Sequence, residues 1–429
     1  MRRVRAAVAI VAALAIPGVA VAGDGASTRR LSVSPEGRPG NSRSYGCDIA
    51  QGAAAVAFDS FASNLVRRDT NGEVDIFVVD AAGLERVSVR PGGGQARAST
   101  GGPVISANGR YVAFTSLTYD MGEPGRRNRR MTVFVHDRYT GRTTRASDRS
   151  DGRRAIGHAV AYAISDSGRY VAFVSDAPDL AMKGDDNGMG DVFVHDRKTG
   201  KTNRVSLSRR LGDPNGDSSW ADMSATGRYV AYASSATNIV RRDRNDSLDV
   251  FVYDRVERHT KLASITIDGK RSPDYSWDPS ISADGRYVAF TSSASLAPTD
   301  AANEDVYLRD LETGTTQHVS MGYRGAANGF SQHPSISEDG RYVLFVSMAD
   351  NLVPNDDNEA LDVFVRDLQT QETTRVNLGE EGQEGNDHSL AAALGPDGRD
   401  VCWVTASTNL DGIEDNADME DVYVRGPLF

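Results

Sequence analysis

Residues 282–290 read Ser-Ala-Asp-Gly-Arg-Tyr-Val-Ala-Phe. Asp284-Gly285 is tight-turn chemistry: Gly accepts a positive φ, and the Asp side chain closes the turn on its own backbone. Tyr287 to Phe290 then runs apolar on both faces, as in a strand covered on both sides. The stretch decides the fold because it returns. Gly-Arg-Tyr-Val recurs at Gly109, Gly168, Gly227, Gly285 and Gly340. A degenerate copy starts at Gly398, and one lacking Gly-Arg-Tyr aligns at Ala53. The steps between copies are 56, 59, 59, 58, 55 and 58 residues.

Each unit reads as four strands. In the third copy these are a, Ala161–Ser165; b, Arg169–Ser175; c, Asp191–Asp196; and d, Thr202–Ser206. β-Branched and aromatic residues fill them, and Gly, Asp, Asn and Pro bound them. Asn108-Gly109 and Ser167-Gly168 turn strand a into b, while Thr140-Gly141, Thr199-Gly200 and Thr313-Gly314 turn c into d. Seven such units predict an all-β fold, a seven-bladed β-propeller of four-stranded antiparallel blades. Repeats begin near 49, 105, 164, 223, 281, 336 and 394.

The Ser-x-Asp-Gly-Arg-Tyr-Val-Ala-Phe pattern resembles the WD40-like repeats of TolB-type propellers. The resemblance spans residues 28–429 and implies the fold; such propellers serve many roles, so it implies no function. It also implies an extra N-terminal α/β domain, for which the repeats leave no room. The expectation is a stand-alone exported propeller in one domain, residues 23–429.

The last copy ends after its strand c, Asp421–Arg425. Residues 28–34 (Thr-Arg-Arg-Leu-Ser-Val-Ser) match strand d elsewhere, as at Thr202–Ser206 and Thr374–Asn377. They are predicted to complete blade seven, since a bare strand edge needs a partner. Cys47 and Cys402 fall on the two blades meeting at that seam. A disulfide and two separate buried thiols are both open.

Arg2, Arg3 and Arg5, the apolar run Ala6–Ile16 and Ala20-Val21-Ala22 read as a signal peptide over residues 1–22. Cleavage would leave 407 of the 429 residues and move the net charge from −11 to about −14. A secreted or periplasmic monomer without a membrane span is expected. The acidic balance argues against nucleic acid as a partner. Two cysteines exclude a four-Cys zinc site, and 39% hydrophobic residues suffice for a packed core.

Two features gather on the face carrying the longer b–c and d–a loops. The first is an acidic loop before strand c: Asp69, Asn71 and Asp75; Asp185, Asn187 and Asp191; Asp243, Asn245 and Asp249; Asp356, Asn358 and Asp362. Blade five is shortened (Asp300, Asn303, Asp305), and blade seven is altered (Glu414, Asp415, Asn416, Asp418, Asp421). Blade two is basic instead (Arg126, Arg127, Arg129, Arg130). Oxygen ligands at positions 1, 3 and 7 suit Ca²⁺, although the later bidentate Glu is missing; Asx-turns that launch strand c explain the same residues. The second is the mouth of the channel lined by strand a, where Tyr45, His158, Trp220, Trp277, Asp278, Gln332, His333 and His388 fall. Aromatic platforms with a few polar groups suit a protein, peptide or glycan ligand.

No Gly-x-Ser-x-Gly, His-Glu-x-x-His or Walker loop occurs. The expectation is therefore a non-catalytic binding scaffold. The alternative is a propeller enzyme of glycosidase, lyase or lactonase type at the mouth, with Asp278, His333 and His388 as its groups. An open channel bearing paired acids would favour the enzyme.

Overall fold

The computed structural model describes residues 26–429 apart from 91, 118–129, 181–184, 186, 242, 244, 298–303 and 414–418. The signal peptide, Arg126, Arg127 and Arg129, Asp300 and Asn303, and Glu414, Asp415, Asn416 and Asp418 lie outside the described residues. Seven four-stranded antiparallel sheets form a ring, and a single 3-10 turn, Gln51–Ala53, is the only helical element among the described residues. Blade three shows the pattern: a, Ala159–Ile164; b, Tyr170–Ser175; c, Asp191–Asp196; d, Lys201–Arg204. Strand c has the expected bounds. Strand a starts two residues earlier, because Ala159 pairs with Ser175 to complete the ladder.

Ser27–Arg30 pairs antiparallel with Asp421–Gly426 as the outer strand of blade seven. The N-terminal strand thus closes the ring, in a shorter piece than residues 28–34. Cys47 on strand a of blade one is disulfide-bonded to Cys402 on strand b of blade seven, with Cα atoms 6.3 Å apart. The closing strand, the last strand and the disulfide thus meet at one seam.

The repeated aromatics explain why the blades stack. In every blade a ring on strand b lies against a ring on strand c, from Phe58 on Phe77 (centroids 5.6 Å apart) to Trp403 on Tyr423 (5.8 Å). These rings are buried between neighbouring sheets, each worth about 1.5–3 kcal/mol by burial. The Arg of each Gly-Arg-Tyr pairs with the Asp ending strand c, as Arg169 Nη2 does with Asp196 at 2.7 Å. The Gly is fixed by space as well as by φ. A Cβ on Gly340 (φ +75°) would sit 2.3 Å from the Tyr287 ring of the preceding blade.

Strand a carries the feature that shapes the channel. Its register with strand b slips by a bulge in all seven blades. Bulges re-aim side chains and cluster beside functional sites. The bulge residue is left-handed at Gly102, Trp220 (φ +45°), Asp278 (+54°), His333 (+55°) and Ala391 (+38°).

Candidate functional site at the channel mouth

A left-handed backbone costs a bulky residue of order 1–3 kcal/mol, and such strain clusters at functional sites. Here three consecutive blades carry it on Trp220, Asp278 and His333, while the matching positions of the other blades hold Gly46, Gly102, Ala161 and Ala391. The mouth is therefore one-sided: functional groups on blades four to six, small residues elsewhere.

Asp278 and His333 meet across two blades, Nδ1 of His333 lying 2.7 Å from Asp278 Oδ2. That hydrogen bond raises the His333 pKa above the usual imidazole value. More than half of the imidazole is exposed (58%), so its Nε2 edge is open to a ligand. Behind the pair lies a channel cavity of about 360 Å³, to which all seven strands a contribute. Trp220, Tyr162 and Asp278 are among its walls. It is lined by five carboxylates, Asp48, Asp166, Asp222, Asp278 and Glu338, and by no Lys or Arg.

Asp48 and Asp222 occupy the same repeat position, two residues past the bulge. Each clasps the next blade: Asp48 accepts from the Ile105 N–H (2.7 Å), Asp222 from the Ile281 N–H (2.8 Å). Ser280 and Ser335 make the same clasp in blades five and six. Burial pushes both carboxyls up to about 6, against the backbone N–H bonds that favour the anion. Burial likewise raises the Tyr162 phenol. Sequence reasoning missed Asp48, Tyr162 and Asp222. Aligning the repeats column by column would have exposed the two acids as departures from Ser, Val or Ala.

The other mouth residues do not join the pair. His158 Nδ1 accepts from the Met131 N–H (3.2 Å), and His388 Nδ1 from the Leu361 N–H (2.9 Å). Both histidines serve the backbone leading into strand c. Gln332 donates to Glu304. Trp277 sits one residue before the bulge of blade five, Tyr45 is itself the residue skipped in blade one, and neither lines the cavity.

The acidic loops hold arginines. Arg86 Nη1 lies 3.4 Å from Asp69 and 3.2 Å from Asp75; Arg204 Nη1 lies 3.5 Å from Asp185 and 2.9 Å from Asp191. Arg271 approaches Asp243 at 3.9 Å. In blade six Asp356, Asp362 and Glu384 gather closely enough to hold an ion, and Arg375 stands among them, 3.1 Å from Asp356 and 3.4 Å from Asp362. Asn71, Asn245 and Asn358 spend their amides on Asp75, Asp249 and Asp362, at 2.9–3.1 Å, and on carbonyls leading to the next blade. Asn187 Nδ2 donates to the Pro214 carbonyl. A cation would have to share each loop with its guanidinium.

The fold and this mouth define the class, a seven-bladed β-propeller with TolB-like repeats and an acidic channel. No family model matches the chain. Among curated proteins it is similar to dipeptidyl-peptidase 5 of Porphyromonas gingivalis, 31% identical over 106 residues, covering 24% of this chain and 14% of that protein. The Porphyromonas endodontalis dipeptidyl-peptidase 5 is 37% identical over 73 residues, covering 17% and 10%. The chain thus spans a small part of the length of these relatives. Among solved structures it resembles an oligogalacturonate lyase from Vibrio parahaemolyticus (TM-score 0.54, 10% identity, 94% of this chain and 97% of that one). It also resembles the Pyrococcus horikoshii acylaminoacyl peptidase (0.52, 11%, 89% and 51%) and TolB from Acinetobacter baumannii (0.41, 15%, 79% and 64%). These findings correct the expectation of a non-catalytic scaffold and of a protein that is not an enzyme. The curated relatives are peptidases, and enzymes stand among the structural neighbours.

Proposed function

We propose that the protein is an enzyme acting on peptides at the channel mouth, where the acidic channel receives the substrate's cationic N-terminus. The observation that carries this reading is the Asp278–His333 pair, set on adjacent left-handed bulges above a cavity with five acidic and no basic lining side chains. Asp278 orients the imidazole and stabilises its charged form; the open Nε2 then takes a proton from a water or hydroxyl nucleophile. Positioned general bases of this kind supply about 10²–10⁴-fold. The carboxylates favour an ammonium group by charge, and Trp220 offers an apolar wall. The similarity to dipeptidyl-peptidase 5 supports a peptide substrate. Charge weighs against a polyanionic galacturonate in the same channel, despite the lyase's shared fold.

The test is hydrolysis of dipeptidyl chromogenic substrates with free and with acetylated N-termini. Cleavage of the free form, lost in His333→Ala and weakened by acetylation, is expected. No cleavage of any peptide, or cleavage untouched by His333→Ala, would overturn the reading.

A further inference from the structure

The opposite face, carrying the a–b and c–d turns, holds a repeated slot. In blade three Arg197, just after strand c, donates to the Gly168 carbonyl (2.6 Å) and lies 4.5 Å from the centroid of Tyr111 in the preceding blade. In blade four Arg255 donates likewise to the Gly227 carbonyl and lies 4.2 Å from the Tyr170 centroid. At the seam between blades six and seven the same ring face is taken by Phe429, stacked 4.9 Å from Tyr342. In blade five the corresponding residue is Leu311. It has no cationic head, so no next-blade guanidinium covers Tyr229. The Gly285 carbonyl has no donor of this kind.

A cavity of about 470 Å³ opens at that point, between blades four and five. Tyr229, Gly285 and Leu311 line it, with Asp254, Glu257 and Glu312 at its rim. Its lining carries four carboxylates, counting Asp284, against Lys261 and Arg286. The charge thus complements a cation. Asp254 already receives Arg228, just as Asp196 receives Arg169 beside the filled slot of Arg255.

We propose that this slot binds the guanidinium of an arginine side chain on a peptide or protein partner, in the place that Arg197 and Arg255 fill within the chain. The ring face of Tyr229 and the Gly285 carbonyl are the two contacts. Asp254 and Glu312 already receive Arg228 and Arg286, so the charge comes from the excess of carboxylates over cations in the lining, with Glu257 the least engaged at 3.9 Å from Arg228. The site is independent of the channel mouth and of any catalysis there. Lys261 stands where blade one has Glu85, which bonds Arg138 Nε at 2.6 Å. Lys261→Glu should therefore strengthen the site.

The test is NMR titration of the full chain with N-acetyl-arginine amide and, in parallel, the citrulline analogue. Saturable shifts at the Leu311 methyls are expected, with roughly tenfold tighter binding of the arginine probe. Leu311→Arg should remove the binding by filling the slot from within, and should raise the melting temperature. Because that variant rebuilds what two other blades contain, it is expected to fold. Lys261→Glu, at an exposed position, should tighten binding severalfold. Equal affinity for arginine and citrulline, no saturable shift, or undiminished binding in a folded Leu311→Arg would each overturn the proposal.

Discussion

Replacing Arg30 by Met should cost about 4 kcal/mol of stability at neutral pH, and the reason lies at the seam. Arg30 is on the closing strand, its side chain only 2% exposed. Nε and Nη2 reach Asp411 at 2.8 and 3.0 Å, and Nη1 reaches Asp421 at 2.9 Å. Those carboxylates are 6% and 3% exposed. Methionine fills much of the volume, so packing changes little, but two buried anions lose their counter-charge. Breaking a buried pair by removing one partner costs about 3–5 kcal/mol. A buried anion without its counter-charge is unfavourable, and neutralising it in acid relieves the penalty. The gap to the parent protein should therefore narrow as pH falls from 7 towards 4. Urea unfolding followed by circular dichroism at both pH values measures this. Arg286→Met is the control. It removes a pair with Asp310 whose guanidinium is 34% exposed, so solvent screens the pair and its loss should be small. Equal losses in the two variants, or an Arg30→Met penalty that does not shrink in acid, would refute the reasoning.

Other outcomes follow from the same geometry. Cys47→Ala with Cys402→Ala should lower stability by about 6 kcal/mol on the chain-entropy account, because the bond links residues 355 apart; denaturation with and without the double substitution reads it. If the proposed peptide hydrolysis holds, Asp278→Asn should shift the ascending limb of its pH profile downward, because the hydrogen bond to Asp278 is what holds the His333 pKa above its usual value. Asp222→Ser installs the group that blades five and six use. Since burial raises Asp222 to about 6, its contribution is fully present below the unfolded carboxyl pKa and is lost as pH rises through 6. The variant should therefore be the more stable protein at pH 8, with the advantage gone near pH 4, as paired thermal melts would show. Gly340→Ala should cost more than 2 kcal/mol, since it demands a left-handed alanine with Cβ against Tyr287; a melting temperature within a degree of the parent would contradict that.

The architecture was legible because each blade repeats the same turn and the same apolar strand. A single Asp-Gly-Arg-Tyr could be any hairpin; seven related copies could only be a ring. The missing strand of blade seven was legible for the same reason, since residues 28–34 had no other place in the repeat. The site was half legible. Trp220, Asp278 and His333 stood out by residue type, but the bulge that gives all three the same left-handed geometry leaves no mark in composition. His158 and His388 looked equivalent to His333 and are not, because they lie just before strand a begins, where the imidazole meets a backbone N–H. The acidic loops invited calcium because their arginines come later in the chain. Arg86 is 11 residues after Asp75, and Arg375 is 13 after Asp362. Reading the loop without strand d counted the anions and omitted the cation.

The closing strand has a consequence for when the molecule becomes competent. Ser27 bonds Gly426 across 399 positions of sequence, so the last sheet cannot exist until nearly the whole chain is present. Contacts so distant in sequence form slowly. The channel takes its walls from every blade, including blade seven, so a ring with that sheet unfinished has an incomplete channel wall. Channel and seam are completed together, and a chain that stops short of Asp421 lacks both.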